Sequence, residues 1–117
     1  MKKKKIKQYN IKDEMFQFQV NIFVGGVYED LRELIMEYEN VDLEEFSDET
    51  LGIFTTIKDN AYILWVKSLK DTKTVAHEVL HLAICEFRIK GLELNSGSEE
   101  ALTHIYSWWL DKVLSID

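Results

Sequence analysis

Regular patterning begins at residue 16, and four segments from there predict the first half of the fold. Apolar and polar residues alternate over 16–24, which predicts a strand with one buried face. A Gly-Gly pair at 25–26 ends this strand. Apolar residues then recur at helical spacing over 27–38 with acidic residues between them, and this predicts an amphipathic helix. The acidic segment 40–49 is expected to be a surface connection.

The second half of the chain predicts two strands and two helices. Residues 51–57 and 61–66 are rich in β-branched and aromatic residues, and 58–60 has the composition of a hairpin turn. Asp71 or Thr72 can cap a helix predicted over 72–90, and Gly91 is well placed as the left-handed residue beyond its end. A last helix follows the loop at 95–97. The order β-α-β-β-α-α predicts the α+β class: a short, mostly antiparallel sheet whose helices, including the one at 72–90 and the C-terminal one, pack on one face.

Composition and charge limit the organisation of the chain and its partners. At 117 residues the chain fits one domain, and 46% of them are hydrophobic. The first twelve residues hold six lysines and no acid, so we expect 1–12 to be a basic, solvated and partly disordered tip and 13–117 a single domain. The remainder carries eight basic and twenty-one acidic residues. An acidic body repels nucleic acid, so no nucleic-acid partner is expected.

The sequence also predicts a cellular location. No apolar run is long enough to span a bilayer, and no signal-peptide stretch follows the lysines, so no membrane association is expected. Cys85 is the only cysteine, which excludes an internal disulfide and fits a reducing compartment. We therefore expect a cytoplasmic protein. The oligomeric state stays open.

The pattern His-Glu-x-x-His carries the candidate chemistry. His77 and His81 are four residues apart within the predicted helix 72–90, so both imidazoles would lie on one helix face and could reach a single metal ion. This helix is apolar nearly all round and is expected to be buried, where unpaired polar groups are costly. A Zn²⁺ ion would satisfy both imidazoles, and Glu78 would then handle the protons of a bound water.

Eighteen residues separate His81 from Glu100, so the chain reads H-E-x-x-H-x18-E. This pattern resembles the gluzincin zinc metallopeptidases, and in size the chain resembles the minimal single-domain zincins often encoded by phages and mobile elements. The resemblance implies a small zincin-like fold. It also implies that His77, His81 and Glu100 bind zinc and that Glu78 is the general base.

Other residues compete for these roles. Glu99 and His104 are alternatives to Glu100 as the third ligand, and Cys85, one turn beyond His81, is a weaker one. Relatives of the thermolysin type have an acidic residue where this chain has His104. His104 is therefore expected to act in catalysis, by contacting a ligating group, stabilising an oxyanion or competing for the metal. Tyr62 and Tyr106 are further candidate oxyanion donors.

A polar stripe runs along the last helix. It is formed by Glu100, Thr103, His104, Ser107 and Asp111. Given the H-E-x-x-H pattern, we expect this stripe to line an active-site cleft. The alternative is that it is the solvent-exposed face that any amphipathic helix presents.

These features predict a zinc-dependent metallopeptidase. Zinc would polarise the scissile carbonyl, Glu78 would act as general base, and the strand 61–66 would pair with an extended peptide or protein substrate. The alternative is a catalytically inactive zincin-fold module that binds or regulates a partner protein. Its acidic body would suit a basic partner surface.

Overall fold

The computed structural model describes residues 6–14, 17–44, 49–58, 61–91, 95 and 97–116, except the Lys58 side chain. Within this part, four strands and three helices follow one another as β1 (Lys7–Asp13), β2 (Phe18–Val24), α1 (Tyr28–Glu39), β3 (Gly52–Lys58), β4 (Ala61–Val66), α2 (Thr72–Ile89) and α3 (Glu99–Leu114). The predicted α+β class is confirmed. Residues 1–5 of the basic tip, and 59–60 of the predicted turn, lie outside the described residues.

The four strands form one mixed sheet in the order β1-β2-β4-β3. The outer pairs, β1 with β2 and β3 with β4, are antiparallel, and of these two pairs the sequence predicted only the β3–β4 hairpin. The central pair is parallel, with Ile22 opposite Leu64 and Phe23 opposite Trp65. A parallel pair needs a long crossover connection, and the chain between β2 and β4 supplies it through α1 and β3.

Helices cover both faces of the sheet, so the prediction of helices on one face is wrong. Val20, Ile22 and Leu64 pack with α2 and α3 in one cluster of buried side chains. Phe23 and Trp65 pack with α1 in a second cluster on the opposite face. Successive side chains of a strand point to opposite faces. On the α1 face β2 contributes only Phe23, whereas β4 carries buried apolar residues at both sets of positions. A strand buried on both faces has this composition.

Strand β1 was not predicted. It covers Lys7–Asp13 and pairs with β2 along its whole length, with Ile11 opposite Val20. The alternation of Tyr9 and Ile11 with polar neighbours was the available signal, because both side chains pack on the α2–α3 side of the sheet. The lysines around them hid this pattern.

Helix α2 begins and ends where the sequence predicts. The Asp71 side chain accepts a hydrogen bond from the Thr74 backbone N–H at 3.2 Å, which satisfies one of the free amides of the first turn. Beyond Ile89 the chain turns at Gly91, whose φ of 75° lies in the left-handed region that favours glycine. None of the described helices is both long and apolar enough to cross a membrane.

One carboxylate, that of Glu86 on α2, is fully buried in the core. The Trp109 Nε1–H of α3 donates a hydrogen bond of 2.8 Å to its Oε1. The pKa of Glu86 is raised to about 7, chiefly by burial and also by the neighbouring Asp13 carboxyl of β1, while the Trp109 hydrogen bond and the charge of Lys90 oppose the rise. No pattern in the sequence singles out Glu86.

Candidate functional site

A groove runs between helix α2 and the edge strand β3. We call it the α2–β3 groove; it encloses about 710 Å³. Its described lining residues are Gly52, Ile53, Phe54, His77, Glu78, His81, Ile84, Cys85, Arg88 and Ile89. All three residues of the His-Glu-x-x-His pattern that carry chemistry therefore face one surface concavity.

The two histidines lie against each other on the open side of α2. His77 Nε2 and His81 Nε2 are 3.3 Å apart, and the rings meet edge to face with an interplanar angle of 77°. Both side chains are exposed. The prediction that α2 is buried all round is wrong here, because Leu80 is also 42% exposed. The histidines therefore do not need a metal to offset burial.

The spacing of the two imidazole nitrogens has two chemical interpretations. A neutral imidazole can donate one hydrogen bond and accept another, so the two rings can bond to each other directly. Two nitrogens bound to one tetrahedral Zn²⁺ at about 2.0–2.1 Å would be separated by about 3.3–3.4 Å. The observed separation of 3.3 Å is compatible with both interpretations.

Glu78 is the inward-facing member of the group. Its side chain is 12% exposed, and one carboxylate oxygen is 4.0 Å from His77 Nε2. The backbone N–H of Phe54 donates a hydrogen bond to the carboxylate. Burial raises the pKa of Glu78, while the two histidines and the Phe54 amide oppose this rise. The carboxylate is thus held between the strand and the histidines.

Gly52 allows the helix to approach the strand closely at this point. A Cβ at position 52 would lie 2.7 Å from Thr74 Cγ2, 3.1 Å from Glu78 Cγ and 3.2 Å from the Trp65 carbonyl oxygen. Real side chains do not tolerate the first of these distances. The absence of a side chain at Gly52 is therefore part of what places Glu78 against the Phe54 amide.

The open backbone edge at the groove belongs to β3, and the prediction that the strand 61–66 pairs with a peptide is wrong. Strand β4 is hydrogen-bonded to β2 on one side and to β3 on the other. The Lys67 N–H donates to the Leu51 carbonyl, so the backbone at residue 51 faces β4. Bonding direction alternates along a strand, which turns the backbone groups of Gly52 and Phe54 outward.

Glu100 and His104 lie elsewhere. They form a pair on the surface of α3, with His104 Nε2 3.2 Å from Glu100 Oε1. The His104 side chain is 77% exposed and the Glu100 side chain is 80% exposed. The rest of the polar stripe, Thr103, Ser107 and Asp111, is exposed as well. No described residue of α3 lines the α2–β3 groove. The stripe is therefore the solvent-exposed face of α3, and the prediction that it lines an active-site cleft is wrong. The catalytic role of His104 stays a prediction.

The remaining candidates lie in different environments. Glu99 is exposed in the first turn of α3. Cys85 is half-buried and lines the α2–β3 groove, where burial raises the pKa of its thiol. Tyr62 is 8% exposed, stacks on Phe54 and has its phenol pKa raised by burial. Tyr106 packs against the core from α3. No contact assigns either tyrosine to an oxyanion.

Sequence reasoning missed the far end of the groove. Ile84 and Arg88 lie on the same face of α2 as the histidines, because positions 77, 81, 84 and 88 follow the helical repeat. That spacing was visible in the sequence. What the sequence did not show is that this face, and not another, borders strand β3.

Comparison with known proteins gives no relative. No protein-family model, no curated protein and no solved structure matches the chain. The described residues also contain no group of three or more His, Cys, Asp or Glu side chains that could hold a metal ion. The arrangement of His77, His81 and Glu100 that the gluzincin resemblance required is therefore not assembled. The resemblance is wrong, and the specific zincin fold is not confirmed.

Proposed function

We propose that the protein is a zinc-dependent hydrolase of peptide bonds whose metal is held by His77 and His81. The observation that supports this proposal is the 3.3 Å separation of the two Nε2 atoms, beside a groove that also contains Glu78. Two imidazoles are ligands that suit zinc. Catalytic zinc sites ordinarily have three protein ligands, so with two we expect a modest affinity for the metal.

The chemistry divides between the metal and the carboxylate. Zinc, when bound, lowers the pKa of a coordinated water towards 7 and polarises a substrate carbonyl. Glu78 would accept the proton of the attacking water and return it to the leaving amine. The Phe54 N–H and the space left by Gly52 keep the Glu78 carboxylate beside the histidines.

A peptide is the substrate that best suits the groove. Strand β3 presents outward-facing backbone groups along one wall, and no described strand pairs with that edge. The Phe54 N–H on this edge is bonded to Glu78, so a peptide would pair with the other outward-facing groups of β3. An extended peptide could add to such an edge by backbone hydrogen bonds, with its side chains directed alternately into and out of the groove. Pairing on β3 would carry the peptide past Glu78.

Zinc-linked stability tests the metal site. The melting temperature of the wild type should rise with Zn²⁺, since zinc at a hundred times its Kd contributes about 2.7 kcal/mol. His81→Ala should lose this effect. His104→Ala is the matched control because it removes an exposed histidine outside the groove, and it should keep the effect. An unchanged wild-type melting temperature, or equal loss in both variants, would exclude the proposed site.

Hydrolysis is tested separately with Glu78→Gln. This variant should retain the zinc-dependent rise in melting temperature and lose cleavage of a mixture of unstructured peptides, measured by mass spectrometry. Glutamine has nearly the same shape as glutamate but cannot accept the water's proton. Full cleavage by Glu78→Gln would contradict the role of Glu78.

A second candidate function is a binding module without catalysis. The open edge of β3 favours it, because strand addition needs neither zinc nor a base. A partner segment would then be bound equally by the wild type and Glu78→Gln, and neither protein would cleave it. Loss of binding in Glu78→Gln would count against this candidate.

A further inference from the structure

The α2–β3 groove extends well beyond the histidines. Its helical wall continues from His81 through Ile84 to Arg88 and Ile89. Arg88 lies seven positions after His81 in the helix, which corresponds to about 10 Å along the helix axis. An extended peptide covers this distance with about three residues.

Arg88 is distinctive among the groove residues. It is the only lysine or arginine among the described residues that line the groove, and its side chain is exposed there. The structure gives its guanidinium no ion pair with another described residue. A guanidinium presents a planar set of donors that matches a carboxylate with two parallel hydrogen bonds. The guanidinium therefore gives this end of the groove a cation that can pair with a carboxylate.

The wall between the two ends is apolar. Ile84 lies between His81 and Arg88 along α2, with Cys85 beside it, and Phe54 and Ile89 also line the groove. Apolar surface of this kind favours apolar side chains of the occupant, because their burial removes both surfaces from water. The lining thus changes from histidine and carboxylate, through apolar residues, to a guanidinium.

We propose that the groove binds an extended peptide whose carboxylate contacts Arg88 about three residues from the His77–His81 pair, with apolar side chains between them. The carboxylate is either the peptide's C-terminus or an acidic side chain, since both offer the same chemistry. The placement of the cleaved bond at the histidines rests on the proposed function. The preference for a carboxylate at Arg88 does not rest on the proposed function, because it concerns peptide binding and not cleavage.

Four peptides distinguish the two sources of the carboxylate. They are N-terminally fluorescein-labelled Ala-Ala-Phe-Leu-Ala-Glu and its Gln-ended analogue, each with a free and with an amidated C-terminus. Fluorescence anisotropy with Glu78→Gln, with and without Zn²⁺, measures binding without cleavage. The Gln-ended amide should bind about tenfold more weakly than the best of the others, the effect of one charge-assisted hydrogen bond. The ranking of the other three identifies the source.

Variants at position 88 test the contact itself. In the Glu78→Gln background, Arg88→Gln should remove the differences in affinity among the four peptides. Arg88→Glu should reverse the preference, so that a fifth peptide, the Lys-ended amide, binds more tightly than the four. Lys73→Gln is the control, because it changes the charge of the same helix by the same amount away from the groove. Equal binding of all four peptides, no binding of any, or the same loss in Lys73→Gln would overturn the proposal.

Cleavage separates this inference from the proposed function. Wild type that cuts all four peptides at equal rates would support the hydrolase and overturn the carboxylate preference. Wild type that binds with the expected preference but cuts none would leave the preference standing and reject the hydrolase. Cleavage about three residues before the carboxylate, lost in Arg88→Gln at low peptide concentration, would support both.

Discussion

Replacing the buried Glu86 with glutamine should make the protein more stable at neutral pH and remove part of the pH dependence of its stability. The glutamine keeps an oxygen to accept the 2.8 Å hydrogen bond from Trp109 Nε1. Its amide can also donate towards the Asp13 carboxyl, which lies beside Glu86 at the end of β1. The substitution therefore removes the charge and preserves the packing.

The magnitude follows from the pKa of Glu86. This carboxyl has an ordinary pKa of 4.5 and titrates at about 7 in the folded chain, chiefly because it is buried. The folded state binds the proton of Glu86 more tightly than the unfolded state does. The stabilisation that this protonation contributes is therefore complete below pH 4.5 and is lost as the pH rises to about 7. Each pH unit in this window costs about 1.4 kcal/mol, so ionisation above pH 7 costs about 3 kcal/mol.

Urea unfolding followed by tryptophan fluorescence measures this effect between pH 4.5 and 8.5. Glu86→Gln should match the wild type at the acid end and exceed its free energy of unfolding by about 2–3 kcal/mol at pH 8. Glu37→Gln makes the same change of charge at an exposed position of α1 and should follow the wild type throughout. A constant difference across the pH range, or a Glu86→Gln protein less stable at pH 8, would refute the reasoning.

Four further substitutions test how the helices and the sheet pack. Gly52→Ala should cost about 1–3 kcal/mol, because the new Cβ would lie 2.7 Å from Thr74 Cγ2; an unchanged urea midpoint would contradict this close approach. Leu82→Ala should cost about 2–5 kcal/mol and Leu80→Ala less than about 0.5, since these side chains are 0% and 42% exposed. Similar losses in the two would mean that α2 faces the sheet differently. Trp65→Phe should cost about 1–3 kcal/mol, because its Nε1–H donates to a glycine carbonyl at 2.8 Å; a loss near zero in thermal unfolding would argue against this bond.

The comparison of His81 with Glu100 shows what kind of site information a sequence contains. Two residues four apart on a helix are neighbours by local geometry alone, and the pairing of His77 with His81 was predictable for that reason. Glu100 follows His81 after eighteen intervening residues, and its position depends on how α3 packs against α2. In the structure the Glu100 side chain is exposed to solvent and pairs with His104.

The elements with local signals were predictable from the sequence. Alternation predicted β2, helical spacing predicted α1, and a cap at Asp71 or Thr72 with Gly91 beyond the last turn predicted α2. Packing between distant parts of the chain sets the rest: β4 is internal and β3 is the edge, the central strands are parallel, and Glu86 is buried. These properties depend on pairing and packing between residues far apart in the chain, which hydrophobic periodicity does not encode.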